Sequence, residues 1–180
     1  MQQIVYYIAS SIDGYIAGNN DDISGFVMTG NGVEKYMAEL QDFTTVIMGR
    51  KTYEFGYKHG LSPGQPAYPH MTHFIFSDSL QFESPHPKVN VVKRELSELK
   101  KIQQSATSDI YLCGGGQFAG WLLQQQKIDV IKLKLNPLIL GQGTRLFGDS
   151  NTSYKLELGN SEVYENGLQI MTYNVKYNQS

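Results

Sequence analysis

Three short segments carry residue types whose spacing could do chemistry. The first is Gly114-Gly115-Gly116, set between a β-prone run and an apolar helical pattern. Glycines let a backbone come close to a pyrophosphate, and a helix that begins there offers free N–H groups and a partial positive charge. Gly114, Gly116 and Ala119 also fit the G-x-G-x-x-[GA] dinucleotide pattern, although that pattern normally occupies the first strand-to-helix turn of a chain. The second segment is Met48-Gly49-Arg50-Lys51-Thr52-Tyr53-Glu54, again at a strand-to-helix junction. Two cations at a helix N-terminus oppose the helix dipole, and a bound phosphate removes that conflict. The third is Ser11-Ile12-Asp13-Gly14-Tyr15-Ile16-Ala17, at the end of the first predicted strand. Asp13 is the candidate catalytic carboxylate there, because ligands of open α/β sheets sit beyond the carboxyl ends of the strands. An Asp-Gly turn is the purely structural alternative.

Other chemically suggestive residues are better explained by packing. His70 and His73 form H-x-x-H, but no carboxylate or cysteine stands at ligand spacing, so no metal site is expected. Cys113, the single cysteine, has no identifiable base beside it and reads as a small core residue in a reducing compartment. Trp121, Leu122 and Leu123 are simplest as the core face of their helix.

These segments must be positioned by regular elements, and the hydrophobic pattern supplies them. The 180 residues suit one domain spanning 1–180, able to bury a core without disulfides or a structural metal. Strands are predicted at 3–9, 44–48, 73–76, 89–92, 109–113 and 130–135. Helices are predicted at 33–40, after Gly49, at 95–104 and at 117–125. Five glycines between 18 and 32 predict a long mobile loop, and three prolines between 61 and 69 predict another. The tail alternates around Glu165-Asn166-Gly167, a hairpin signal. Strands alternating with helices, closed by a hairpin, imply a mostly parallel sheet with an antiparallel edge and helices on both faces.

The totals exclude several classes. Fifteen basic against seventeen acidic residues give a net charge of -2, with no electrostatic footprint for nucleic acid or a membrane surface. The N-terminal residues lack the features of a signal peptide, and no apolar run approaches the roughly 20 residues of a membrane helix. A cytoplasmic protein with a small-molecule substrate is the expectation.

Five pieces, in order, resemble the dihydrofolate reductase superfamily, and most closely its branch of riboflavin-pathway pyrimidine reductase domains. They are SIDGYIA at 11–17, MGRKTYE at 48–54, FIFS at 74–77, YLCGGGQFAGWLL at 111–123, and the run from Ile128 to PLILGQGTRLF at 137–147. The resemblance implies an eight-stranded sheet with NADPH lying across its C-terminal edge. By position, Gly49, Arg50, Lys51 and Thr52 would hold cofactor phosphates, with Ser77 near the 2′-phosphate. Gly114, Gly115, Gly116, Gln117 and Phe118 would surround the pyrophosphate. Ala9 and Ile16 would flank the nicotinamide, with the loop after Gly18 as a lid. Tyr36 and Met37 would face the substrate. The family's two acidic positions fall on Val33 and Cys113, which leaves the substrate open. The implied activity is hydride transfer to a planar heterocycle, pterin-like or aminopyrimidine. Alternatives are reduction of 5-amino-6-(5-phosphoribosylamino)uracil, or nucleotide binding without turnover. A homodimer is expected from the same branch.

Overall fold

Residues 1–177 are described by a computed structural model. The apolar run at the N-terminus forms β1 (Ile4–Ser10), and the chain then turns into the short β2 (Tyr15–Ala17). Next come α1 (Asn31–Glu39), β3 (Thr45–Gly49), α2 (Arg50–Phe55), β4 (Thr72–Phe76) and β5 (Val89–Val92). They are followed by α3 (Leu96–Ser105), β6 (Ile110–Gly114), α4 (Gly116–Gln124) and β7 (Val130–Leu135). The two-residue β8 (Thr144–Arg145) precedes the closing hairpin of β9 (Lys155–Val163) and β10 (Gln169–Lys176).

Eight strands make one sheet in the order β5-β4-β3-β6-β1-β7-β10-β9. The first six are mutually parallel, and the hairpin adds antiparallel to β7. This is the mixed sheet that the alternation of elements predicts. The hairpin turn sits where predicted, with Asn166 and Gly167 both at positive φ. β2 and β8, which the hydrophobic pattern does not disclose, form a separate two-stranded ribbon.

β1 is apolar on both faces because helices cover both. Ile4 and Tyr6 join Leu99 and Ile102 of α3 and Phe118 and Leu122 of α4 in one core. Val5 and Tyr7 join Leu40, Tyr53, Tyr111 and Ile170 in the other. The strand period of two therefore sorts neighbouring residues of β1 between two layers. The second layer is rich in tyrosine, which matters for the site below.

Two expectations need correction. α1 begins at Asn31 rather than 33. The 18–32 loop is pinned rather than free of the core: Phe26 is buried, and Val27 donates its N–H to the side-chain oxygen of the fully buried Asn136 at 2.8 Å. Asn136 in turn donates to the carbonyls of Ser10 and Lys134, so one buried amide ties the loop to the ends of β1 and β7.

His73 is a satisfied core residue. Its Nε2 accepts the N–H of Tyr68 at 3.1 Å, and its Nδ1 bonds the carbonyl of Met71. Burial pushes its pKa down from 6.5 to about 4. A lowered folded-state value means that the unfolded chain binds the proton first, so stability present above pH 6.5 is lost as pH falls towards 4. The full loss is up to about 3 kcal/mol at about 1.4 kcal/mol per unit. Urea unfolding across this window is expected to show it, and His73→Gln is expected to flatten the slope. An unchanged slope in that variant would assign the acid sensitivity elsewhere.

Candidate functional site

β3 and β6 lie side by side and end in glycine turns, each leading straight into a helix. Gly49 precedes α2 and Gly115 precedes α4, and neither helix start carries a side-chain cap. The free N–H groups of both first turns are therefore unclaimed by side chains. The two turns touch. A Cβ on Gly49 would lie 3.2 Å from that of Phe118, and one on Gly115 would lie 2.8 Å from Oγ1 of Thr52. Gly114, at φ +125°, makes the turn and is joined to Gly115 by a cis peptide.

Both turns open on a cavity of about 970 Å³ at the C-terminal edge of the sheet. That is the position where open α/β sheets bind ligands, and its size is ample for a nucleotide beside a small molecule. Arg50, Lys51, Arg94 and Arg145 line it, against two carboxylates, Asp21 and Asp149. Asp21 is ion-paired with Lys58 at 2.9 Å, and Asp149 accepts from Gln117 at 2.6 Å. The cations thus exceed the acids, as an anionic ligand requires.

Aliphatic side chains such as Ile8, Ile16 and Met48 share the rest of the lining with a group of aromatic ones. The hydroxyls of Tyr36 and Tyr111 lie 2.8 Å apart, and that of Tyr68 lies 3.6 Å from Sγ of Cys113. Burial raises the pKa of all three phenols, with the Cys113 sulfur as a second cause, and that of Tyr36 reaches about 12. Burial also raises the Cys113 thiol, so it stays protonated and is no nucleophile at neutral pH. This group is a neutral, hydrogen-bonding wall.

Of the residues named from sequence, the cavity gathers Ala9, Ile16, Tyr36, Gly49, Arg50, Lys51, Thr52, Gly115, Gly116, Gln117 and Phe118. It does not gather Asp13, Ser77, Gly114 or Met37. Asp13 is instead a turn clamp. Ser11 Oγ donates to its carboxylate at 2.6 Å, as do the N–H groups of Leu140 and Gly141 at 3.1 and 2.7 Å. These bonds, the serine first, hold its pKa at about 2. With both oxygens engaged outside the cavity, the catalytic expectation for Asp13 is withdrawn. Ser77 closes a turn by accepting the N–H groups of Ser79 and Leu80, and it is Ser79 that Arg50 reaches, at 3.0 Å. Met37 sits about 100° round α1 from Tyr36 and is half exposed. Gly114 shapes the turn without lining the cavity.

Sequence reasoning missed Tyr68, Tyr111, Arg94, Arg145 and Lys134. Tyr68 and Tyr111 carry no local signal, because each lies in a segment that reads as plain loop or plain strand. Arg145 arrives from the long connection after β7, a placement that only the tertiary fold sets.

An open, mostly parallel sheet with two glycine-led turns on one cavity is the dihydrofolate-reductase-like fold. The chain belongs to the RibD C-terminal domain family, whose pattern matches residues 2–170. It is 27% identical over 170 residues to the uncharacterized protein YwjB of Bacillus subtilis, covering 94% of this chain and 96% of that one. Among solved structures, a protein from Shewanella sp. PV-4, provisionally named for riboflavin biosynthesis, superposes with a TM-score of 0.81 at 26% identity, covering 98% of this chain and all of the other. The dihydrofolate reductase of Enterococcus faecalis, solved with NADP(H) and RAB-propyl, gives 0.68 at 16% identity, covering 97% of each chain. At that identity the last likeness concerns the fold alone. Among the described residues, no helix is long and apolar enough to cross a membrane.

Proposed function

We propose that the protein is an NADPH-dependent reductase acting on a small planar heterocycle. The observation that carries this reading is the meeting of two uncapped glycine turns and four cations on a cavity that is otherwise largely aromatic and aliphatic. The cradle fits the cofactor. An added Cβ at Gly115 would fill the space beside Thr52, and Arg50, Lys51, Arg94 and Arg145 offer charge for a pyrophosphate and a 2′-phosphate. When bound, NADPH supplies the hydride.

The chain's own part is to bind, orient and exclude water. Gly116, Gln117 and Phe118 offer backbone N–H groups to phosphate, and Ala9 and Ile16 present apolar walls at the sheet edge. Phe26 and Met28, from the loop pinned by Asn136, line the same cavity. They would shield the reacting groups from solvent. A nucleotide-binding protein without turnover is the second reading, and the substitution of both family acids, by Val33 and Cys113, favours it.

Titration with NADPH and NADH, followed by nicotinamide fluorescence, tests the reading. Binding of NADPH with a Kd on the order of micromolar, and weaker binding of NADH, is expected. Absence of binding by the folded protein would refute it. Oxidation of NADPH with any planar heterocycle would exclude the second reading.

The homodimer is also proposed, through β9. This end strand exposes Leu156 and Leu158 on one face, 46% and 55% accessible, beside Tyr173 and Val175 of β10. An unpaired edge with an apolar stripe invites a second copy. Light scattering is expected to give a dimer for the native chain and a monomer for Leu158→Glu. A monomeric native chain would end the idea.

A further inference from the structure

Lys132 and Lys134 point to the same face of β7, two residues apart, and each covers a tyrosine ring. Lys132 Nζ lies 4.8 Å from the ring centre of Tyr7, and Lys134 Nζ lies 4.5 Å from that of Tyr36. Their charges are treated differently. Lys132 is paired with Glu39 at 2.7 Å, and Glu39 also accepts from the Tyr7 hydroxyl. Lys134 is 8% exposed, yet among the described residues it has neither a carboxylate partner nor a side-chain hydrogen bond. Burial lowers its pKa with no opposing charge to restore it. Its side chain lines the cavity, and its backbone pairs with Ala9, so it belongs to the aromatic end.

A buried ammonium without a counter-ion costs stability, and the face of the Tyr36 ring offsets only part of that cost. An ammonium has three donors and no acceptor. The two cavity carboxylates have their partners elsewhere, Asp21 in Lys58 and Asp149 in Gln117, and neither pairs with Lys134. A protonated 2-aminopyrimidine edge, which needs a paired carboxylate, has nothing to bind there.

From this we infer that Lys134 is the substrate-recognising cation of the site, and that the ligand presents carbonyl oxygens or a carboxylate to it rather than an amidine edge. The inference deepens the proposed reductase reading and rests on it for the identity of the ligand as substrate. It also narrows that reading away from pterin-like compounds towards oxo- and carboxylate-bearing rings.

Isothermal titration with three planar probes tests it: orotate (an anionic dioxopyrimidine), uracil and 2,4-diaminopyrimidine. Measurements on the protein with and without NADP⁺ keep the outcome separate from that of nucleotide binding. Orotate is expected to bind about tenfold or more tighter than 2,4-diaminopyrimidine, with uracil between them. Lys134→Met is expected to erase this order and Lys134→Arg to keep part of it, while NADPH affinity stays within about twofold in both. Because the methionine removes a desolvated charge at similar volume, the melting temperature of Lys134→Met should hold or rise. Equal or tighter binding of 2,4-diaminopyrimidine by the native chain overturns the inference, as does an absence of any preference. A lowered melting temperature in Lys134→Met with the orotate preference intact assigns the lysine to the fold and overturns it equally.

Discussion

Gly116→Ala is expected to destabilise the protein by about 3 kcal/mol, at the upper end of what overpacking costs. The added Cβ would lie 2.1 Å from the carbonyl oxygen of Arg145 and 3.1 Å from the nitrogen of Gly148. Both are backbone atoms, so neither can rotate aside, and relief requires α4 and the segment at 145–148 to separate. Gly115→Ala is the control. Its Cβ meets only Oγ1 of Thr52, at 2.8 Å, which is one side-chain atom, and its extended φ of −88° suits alanine. Urea unfolding should therefore show a large loss for Gly116→Ala and a small one for Gly115→Ala. NADPH titration should reverse the emphasis, with Gly115→Ala weakening binding in a protein that remains folded. Native-like stability in Gly116→Ala would mean that the 145–148 segment does not rest on α4.

That contrast qualifies how the glycine run is read. From the sequence, three consecutive glycines after a strand point to a phosphate cradle, and all three resemble the family's positions. In the structure they have three different reasons. Gly114 holds a positive φ, Gly115 keeps space beside Thr52, and Gly116 admits another part of the chain. Only the middle one meets a side chain of the cavity wall rather than a backbone constraint. Spacing reveals that a close approach occurs; it does not reveal whether the approaching group is a cofactor or a carbonyl 29 positions later.

The sheet was legible because its signals are local. Apolar runs, turn residues and the period-two tail are each read within ten residues, and parallel order follows from intervening helices. Beyond Tyr36, the aromatic end of the cavity was not legible for the opposite reason. Tyr36, Tyr68, Tyr111 and Lys134 come from a helix, a loop and two strands, and meet only through tertiary packing. The sequence IKLKLN even misleads at Lys134, because alternating lysines ordinarily mark a solvated strand face. Here α1 covers that face, so Lys132 takes Glu39 as its partner and Lys134 is left turned to the cavity. Asp13 failed for a local reason: an Asp-Gly turn and a catalytic carboxylate look alike until the hydrogen bonds are known.

Arg50→Ala is expected to raise the Kd for NADPH by about 10- to 100-fold, the effect of one charged hydrogen-bonding group of about 1.5–3 kcal/mol. Its effect on NADH should be slight. The guanidinium donates through Nε to Glu54 at 2.7 Å and through Nη1 to Ser79 at 3.0 Å. These bonds fix its plane without exhausting it, since five N–H donors less two leave three. The contact with Ser79 joins the group to the turn closed by Ser77, so in the proposed complex it would address a 2′-phosphate rather than a pyrophosphate. Loss of the exposed Arg50–Glu54 pair should scarcely alter stability, because such i,i+4 pairs contribute about 0.3–0.5 kcal/mol. The comparison of cofactors then localises the charge. Weakening confined to NADPH, and shrinking as salt rises, places Arg50 on the 2′-phosphate. Equal weakening of both cofactors moves it to the pyrophosphate. No change in either would leave the phosphate role to Lys51, Arg94 and Arg145, and would explain Arg50 as a partner of Glu54 and Ser79 alone.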